Sequence, residues 1–180
     1  MPQFDAIISL LGPANSKHSG LDISHFYEWL FPHLRSLPPA ERPYLLGMGT
    51  QSIYDPKDGW SIFNLVHVIL IRIMAPGARV EIMNIKKNFL DDLEVHESND
   101  GKQVPLEWTL FRLNLLNDGE QEDGACAGYV RQEGWGANIT RKQLADWLVT
   151  QVETPKAERQ WVRKLPAVWG KDGGFSIPTV

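Results

Sequence analysis

The sequence predicts an α/β domain in which helices are layered on a mostly parallel sheet. Two observations carry this reading. The apolar run Phe4-Asp5-Ala6-Ile7-Ile8-Ser9-Leu10-Leu11 closes on the turn Gly12-Pro13, and the runs 43–47 and 107–113 are also strand-like and end in small or polar residues. Between them lie segments whose apolar residues recur at helical spacing, and parallel neighbours can be joined only by such long crossovers.

Each element has its own signal. A polar loop of small residues, 15–20, follows the first strand. Ser24 is placed to cap a helix reaching Leu37, with Phe26, Trp29, Leu30, Leu34 and Leu37 on one face, and Pro38-Pro39 stops it. The strand at 43–47 ends in Gly49-Thr50-Gln51-Ser52, and Tyr54-Asp55-Pro56-Lys57-Asp58 makes a turn. Helices are expected at 60–74 and 78–93, broken by Pro76-Gly77. The stretch 96–105, centred on Asn99-Asp100-Gly101, reads as a surface loop. Strands at 107–113 and 126–130 follow. Thr140 with Gln143 three residues on is a capping-box signature for a helix over 141–152, its inner face carrying Leu144, Leu148 and Val152. Thr154-Pro155 opens another short helix. The whole reads as one domain over 1–169 with a weakly ordered tail at 170–180.

Composition narrows the function classes. With 180 residues, 43% of them hydrophobic, the chain supports one substantial core. A net charge of −4 and no run of like charge give no electrostatic support for nucleic acid or an anionic membrane, so a small molecule or a protein is the expected partner. The longest apolar stretch, 62–74, is interrupted by Asn64, His67 and Arg72 and reads as a buried helix. One cysteine, Cys126, excludes an internal disulfide framework and fits a reducing, cytoplasmic setting. The five histidines lack the pairing of a helical zinc site, so no metal is expected.

Two stretches resemble familiar chemistry without matching it. Gly47-x-Gly49-x-x-Ser52 has the spacing of a dinucleotide fingerprint, but serine replaces the third glycine and no acidic residue ends a second strand downstream. A strand-end turn is the preferred reading. Tyr54 and Lys57 are close enough for an ammonium to assist a phenol, yet they sit in a turn, where solvated polar residues are ordinary. Arg112 stands inside an apolar strand and needs either a carboxylate partner or a ligand.

The runs 5–13 and 43–52, then Trp108-Thr109-Leu110-Phe111-Arg112-Leu113 with Leu116-Asn117-Asp118-Gly119, then Ile139-Thr140-Arg141 before a helix, together resemble the atypical short-chain dehydrogenase/reductases. The similarity is strongest to their NAD(P)H-binding, NmrA-like group of fungal type. It implies an incomplete Rossmann-like, three-layer domain that starts at the family's fourth strand and lacks the glycine-rich phosphate loop. The resemblance further implies NADP or NAD as cofactor, met by Gly12, Pro13, Gly49, Thr50, Asn114 and Leu115 at the strand ends. A small organic substrate, polyketide- or quinone-like and belonging to secondary metabolism, would meet Ser52, Tyr54, Arg112 and Leu116. Thr50, Ser52 and Tyr54 would act on its carbonyl, a hydroxyl stabilising charge on oxygen during hydride transfer.

Three functions stay open at this point. They are an NAD(P)H-dependent oxidoreductase, a pseudoenzyme or binding protein without the dinucleotide, and a cofactor-independent isomerase or dehydratase. Without the first three strands the strand at 4–11 becomes a bare apolar edge, and a homodimer covering it is one expectation.

Overall fold

The computed structural model describes residues 4–13, 17–59, 66, 69, 72–98, 104–120 and 124–171. Its main elements in chain order are β1 (Ala6–Ser9), α1 (Asp22–Ser36), β2 (Tyr44–Thr50), α2 (Pro76–Ser98), β3 (Trp108–Leu113), β4 (Leu115–Asn117), β5 (Ala125–Gly128), β6 (Asn138–Thr140), α3 (Arg141–Glu153) and β7 (Ala167–Gly170). Five strands form one sheet in the order β1-β2-β3-β7-β5. The first four in that order run parallel and β5 runs antiparallel to β7. Strands β4 and β6 form a separate parallel pair.

Side-chain alternation divides the interior into layers. From β2 and β3, Leu45, Trp108 and Leu110 point to one face and pack with Tyr27, Phe31, Ile85 and Phe89 of α1 and α2. Tyr44, Leu46, Phe111 and Leu113 point to the other and pack with Leu144, Trp147 and Leu148 of α3. Every residue of β3 is buried, as expected for a parallel strand covered on both faces. Among the described residues no helix is long and apolar enough to cross a membrane.

Several expectations are corrected. Helix α1 begins at Asp22, with Leu21 as its N-cap, and Ser24 lies inside its first turn. The amides of Ile23 and Ser24 donate instead to Glu81 Oε1 at 2.7 and 3.1 Å, so a carboxylate from α2 satisfies the exposed start of α1. Its buried face is Ser24, Tyr27, Leu30, Phe31 and Leu34, whereas Phe26 and Trp29 are exposed. The segment holds two overlapping apolar stripes, and the one spaced 27, 30, 31, 34 wins because it alone meets β1 and β2.

Pro76 takes the first position of α2, its missing N–H costing nothing there, and the Arg79 amide bonds the Ala75 carbonyl at 3.0 Å. The helix continues to Ser98, into the expected loop. Most of the helix expected at 60–74 lies outside the described residues, as do 99–103 and 172–180. Strand β7 was not anticipated, and Gly170, expected to open the tail, is its buried last residue. Thr140 forms both halves of the anticipated capping box at the start of α3. Pro155 caps a short 3-10 turn, Lys156–Glu158, rather than occupying its first position.

Candidate functional site

Strands β1, β2 and β3 are parallel neighbours, so their carboxyl ends open on the same edge of the sheet. That edge is where open α/β sheets take ligands. The chain leaves it through Leu10-Leu11-Gly12-Pro13, through 51–59, and through Asn114 into β4. A Cβ on Gly12 would lie 2.8 Å from Met48 Cε, so the turn after β1 rests against β2.

The end of β2 carries a hydroxyl pair. Thr50 Oγ1 and Ser52 Oγ are 2.5 Å apart, with Ser52 buried and Thr50 half-buried. When one hydroxyl donates to the other, the second proton remains available to a ligand carbonyl. Gly47 and Gly49 lie within β2, not in a loop, and both face the core. A Cβ on Gly47 would stand 2.4 Å from Phe89 Cζ, and one on Gly49 would stand 3.0 Å from Ile53 Cδ1. Their spacing therefore reflects close packing, and Gly49 presents no bare backbone to a cofactor on that face.

Arg112 is fully buried and anchors the loop after β2. Its Nη1 and Nη2 bond Asp58 Oδ2 and Oδ1 at 2.6 and 2.8 Å, Nη1 also bonds the Ile53 carbonyl at 2.7 Å, and Nε bonds the Leu165 carbonyl at 2.7 Å. Asp58 further accepts from the Asp55 and Val130 amides at 2.9 and 3.0 Å. The guanidinium is thus spent on the fold, and the substrate contact expected of Arg112 is replaced by a positioning role.

Tyr54 and Lys57 do not pair. The Lys57 ammonium lies 3.4 Å from the Tyr129 hydroxyl and 5.2 Å from that ring's centre. Lys86 of α2 instead donates to the Tyr54 carbonyl at 2.8 Å, while the Tyr54 side chain is exposed. Burial pushes the Lys86 ammonium below its ordinary range, with nearby Asp55 opposing the shift. Asn114 is half-buried where β3 gives way to β4, and Leu115 and Leu116 are exposed.

Sequence reasoning missed Asp58, Glu81 and Lys86. Arg112 itself signalled a buried carboxylate, and Asp55 and Asp58 were the nearest turn candidates. Glu81 falls on the apolar face Ala78, Ile82, Ile85 and Phe89, which marks it as buried. His18 Nε2 lies 3.9 Å from Glu81, and the His18 carbonyl crowds Gly77, so the loop before α1 sits against the start of α2.

The same architecture occurs in solved nucleotide-binding proteins. A short-chain dehydrogenase/reductase from Veillonella parvula, crystallised with NADP, superposes with a TM-score of 0.54 at 12% identity over 98% of this chain. The chain has a Rossmann-like fold. A Rossmann-fold NAD(P)-binding family protein from Shigella flexneri gives 0.51 at 12% identity, again over 98% of this chain. This chain spans 67% and 65% of the lengths of those two proteins, consistent with an incomplete Rossmann-like domain. No protein-family model matches the sequence, and no curated protein does.

Proposed function

We propose that this chain forms the substrate side of an NAD(P)H-dependent oxidoreductase of the NmrA-like kind, acting on a small polyketide- or quinone-like carbonyl compound. The observation that carries the proposal is the Thr50–Ser52 hydroxyl pair at the carboxyl end of β2, flanked by the turn at Gly12-Pro13 and by Asn114. In this reading the pair holds the substrate carbonyl and stabilises charge on its oxygen as hydride arrives. Tyr54, exposed on the anchored loop, meets the substrate from the rim, and Leu115 and Leu116 supply apolar contact. NADP or NAD would lie along Gly12, Pro13, Thr50, Asn114 and Leu115, its nicotinamide end against the hydroxyl pair. No G-x-x-G-x-x-G occurs in the 180 residues, so the phosphates need donors from elsewhere.

That last point supports a second reading, a binding protein or cofactor-independent enzyme that uses the same hydroxyl pair. Fluorescence titration with NADH and NADPH separates the two. Micromolar binding that is lost in Thr50→Val/Ser52→Ala supports the oxidoreductase. Absence of binding to both nucleotides overturns it in favour of the second reading.

A further inference from the structure

Gln51 directly follows β2, and its amide donates to the Leu113 carbonyl at 2.9 Å, so it sits where the carboxyl ends of β2 and β3 meet. The Ile53 amide bonds the Thr50 carbonyl at 3.0 Å and closes a turn with Gln51 and Ser52 at its centre. Polar residues at the tip of a turn ordinarily meet water. These two are only 3% and 7% exposed.

Side chains so enclosed are expected to hydrogen-bond within the protein. Ser52 does, through Thr50 Oγ1. Gln51 does not satisfy its amide donor, because Nε2 is buried and has no partner. The other buried side-chain nitrogens without a partner, among the described residues, belong to His18, Arg79, Trp135 and Trp161, and none of those directly follows a strand of the main sheet. An unpaired donor at this position lowers stability where methionine, of similar shape, would not. A ligand that brings an acceptor oxygen accounts for it.

We propose that the Gln51 carboxamide is a second donor to the ligand oxygen held by the Thr50–Ser52 pair, so that a hydroxyl and an amide N–H together cradle an oxygen carrying negative charge. One oxygen has lone pairs enough to accept both. Both bonds strengthen as charge gathers on it, which selects an enolate, a phenolate or a strongly polarised carbonyl over an alcohol or ether. The assignment deepens the reading above and rests on it for the place of the ligand oxygen, but it does not require the dinucleotide.

4-Nitrophenol, whose anion is coloured, probes the cradle with no nucleotide present. In a spectrophotometric titration of the 180-residue chain, the bound probe should ionise at lower pH than the free one, since both donors favour the charged oxygen. Gln51→Met should weaken binding of the anion about tenfold and shrink that shift by about one pH unit. In urea the same variant should be as stable as the parent or more so, the reverse of what a glutamine serving only the fold would give. No binding of 4-nitrophenol to the parent chain, binding unchanged in Gln51→Met, or a lower urea midpoint for that variant each overturns the proposal. Binding lost in Thr50→Val/Ser52→Ala but kept in Gln51→Met leaves the hydroxyl pair its role and removes Gln51 from it. Binding through Gln51 in a protein that takes neither NADH nor NADPH sinks the oxidoreductase reading and supports this one.

Discussion

A guanidinium cut off from water must find its counter-charge inside the protein, and Arg112 finds it in Asp58. The need was legible in the sequence because Arg112 interrupts an apolar strand. The partner was not, since Asp55 and Asp58 occupy the same turn and only folding decides between them. Arg112→Met strands a buried carboxylate and should cost roughly 3–5 kcal/mol. Urea denaturation measures this, and Arg112→Met/Asp58→Leu should recover only part of the loss: neither charge is then left alone, but the Asp55 and Val130 amides and the Ile53 and Leu165 carbonyls lose their partners. The hydroxyl pair was legible as two residues at a strand end, whereas the lysine that meets Tyr54 was not. Lys57 is near in sequence, but Lys86 reaches the carbonyl from a helix 32 positions on.

At the scale of elements, the two helix starts show what local sequence can and cannot reveal. Thr140 and Gln143 are three residues apart, so the capping box of α3 is written in one stretch of chain. The donors at the start of α1 are met by Glu81, 57 positions from Ser24, and no local motif announces that. Ser24 was mistaken for the cap because its hydroxyl is suited to capping. In the structure that hydroxyl bonds both the Leu21 carbonyl and Glu81 at 2.9 Å. Thr140→Ala should therefore cost about 1 kcal/mol. Glu81→Ala should cost more, about 2 kcal/mol or above, because it leaves two amides unpaired and opens the contact between α1 and α2. Thermal unfolding of the two variants tests the order, and a larger loss for Thr140→Ala would contradict it.

For the whole molecule, the alternation of strands and helices was enough to read the parallel half of the sheet. What escaped was β7, a four-residue strand buried throughout, whose lack of alternation hides it and whose place between β3 and β5 depends on long-range pairing. Both layers share a vulnerability to alkali. Burial raises the hydroxyl of Tyr27 on the α1 face, against a bond to Ser9, and burial raises that of Tyr44 on the α3 face, against one to Thr109. Each phenol keeps its proton longer in the folded state. The stabilisation is complete below the unfolded tyrosine value of about 10 and is lost as pH rises through the folded values. Urea midpoints should fall above about pH 10, and Tyr27→Phe/Tyr44→Phe should flatten that decline.

The buried turn beside the crevice brings its own consequence for selectivity. Arg112 and Lys86 lie among Asp55 and Asp58, two cations with two anions. Among themselves these four charges cancel. An uncharged carbonyl compound resting there is sorted by its outline and by whether it can accept a hydrogen bond from Thr50 or Ser52, so its affinity should change little between low and high salt.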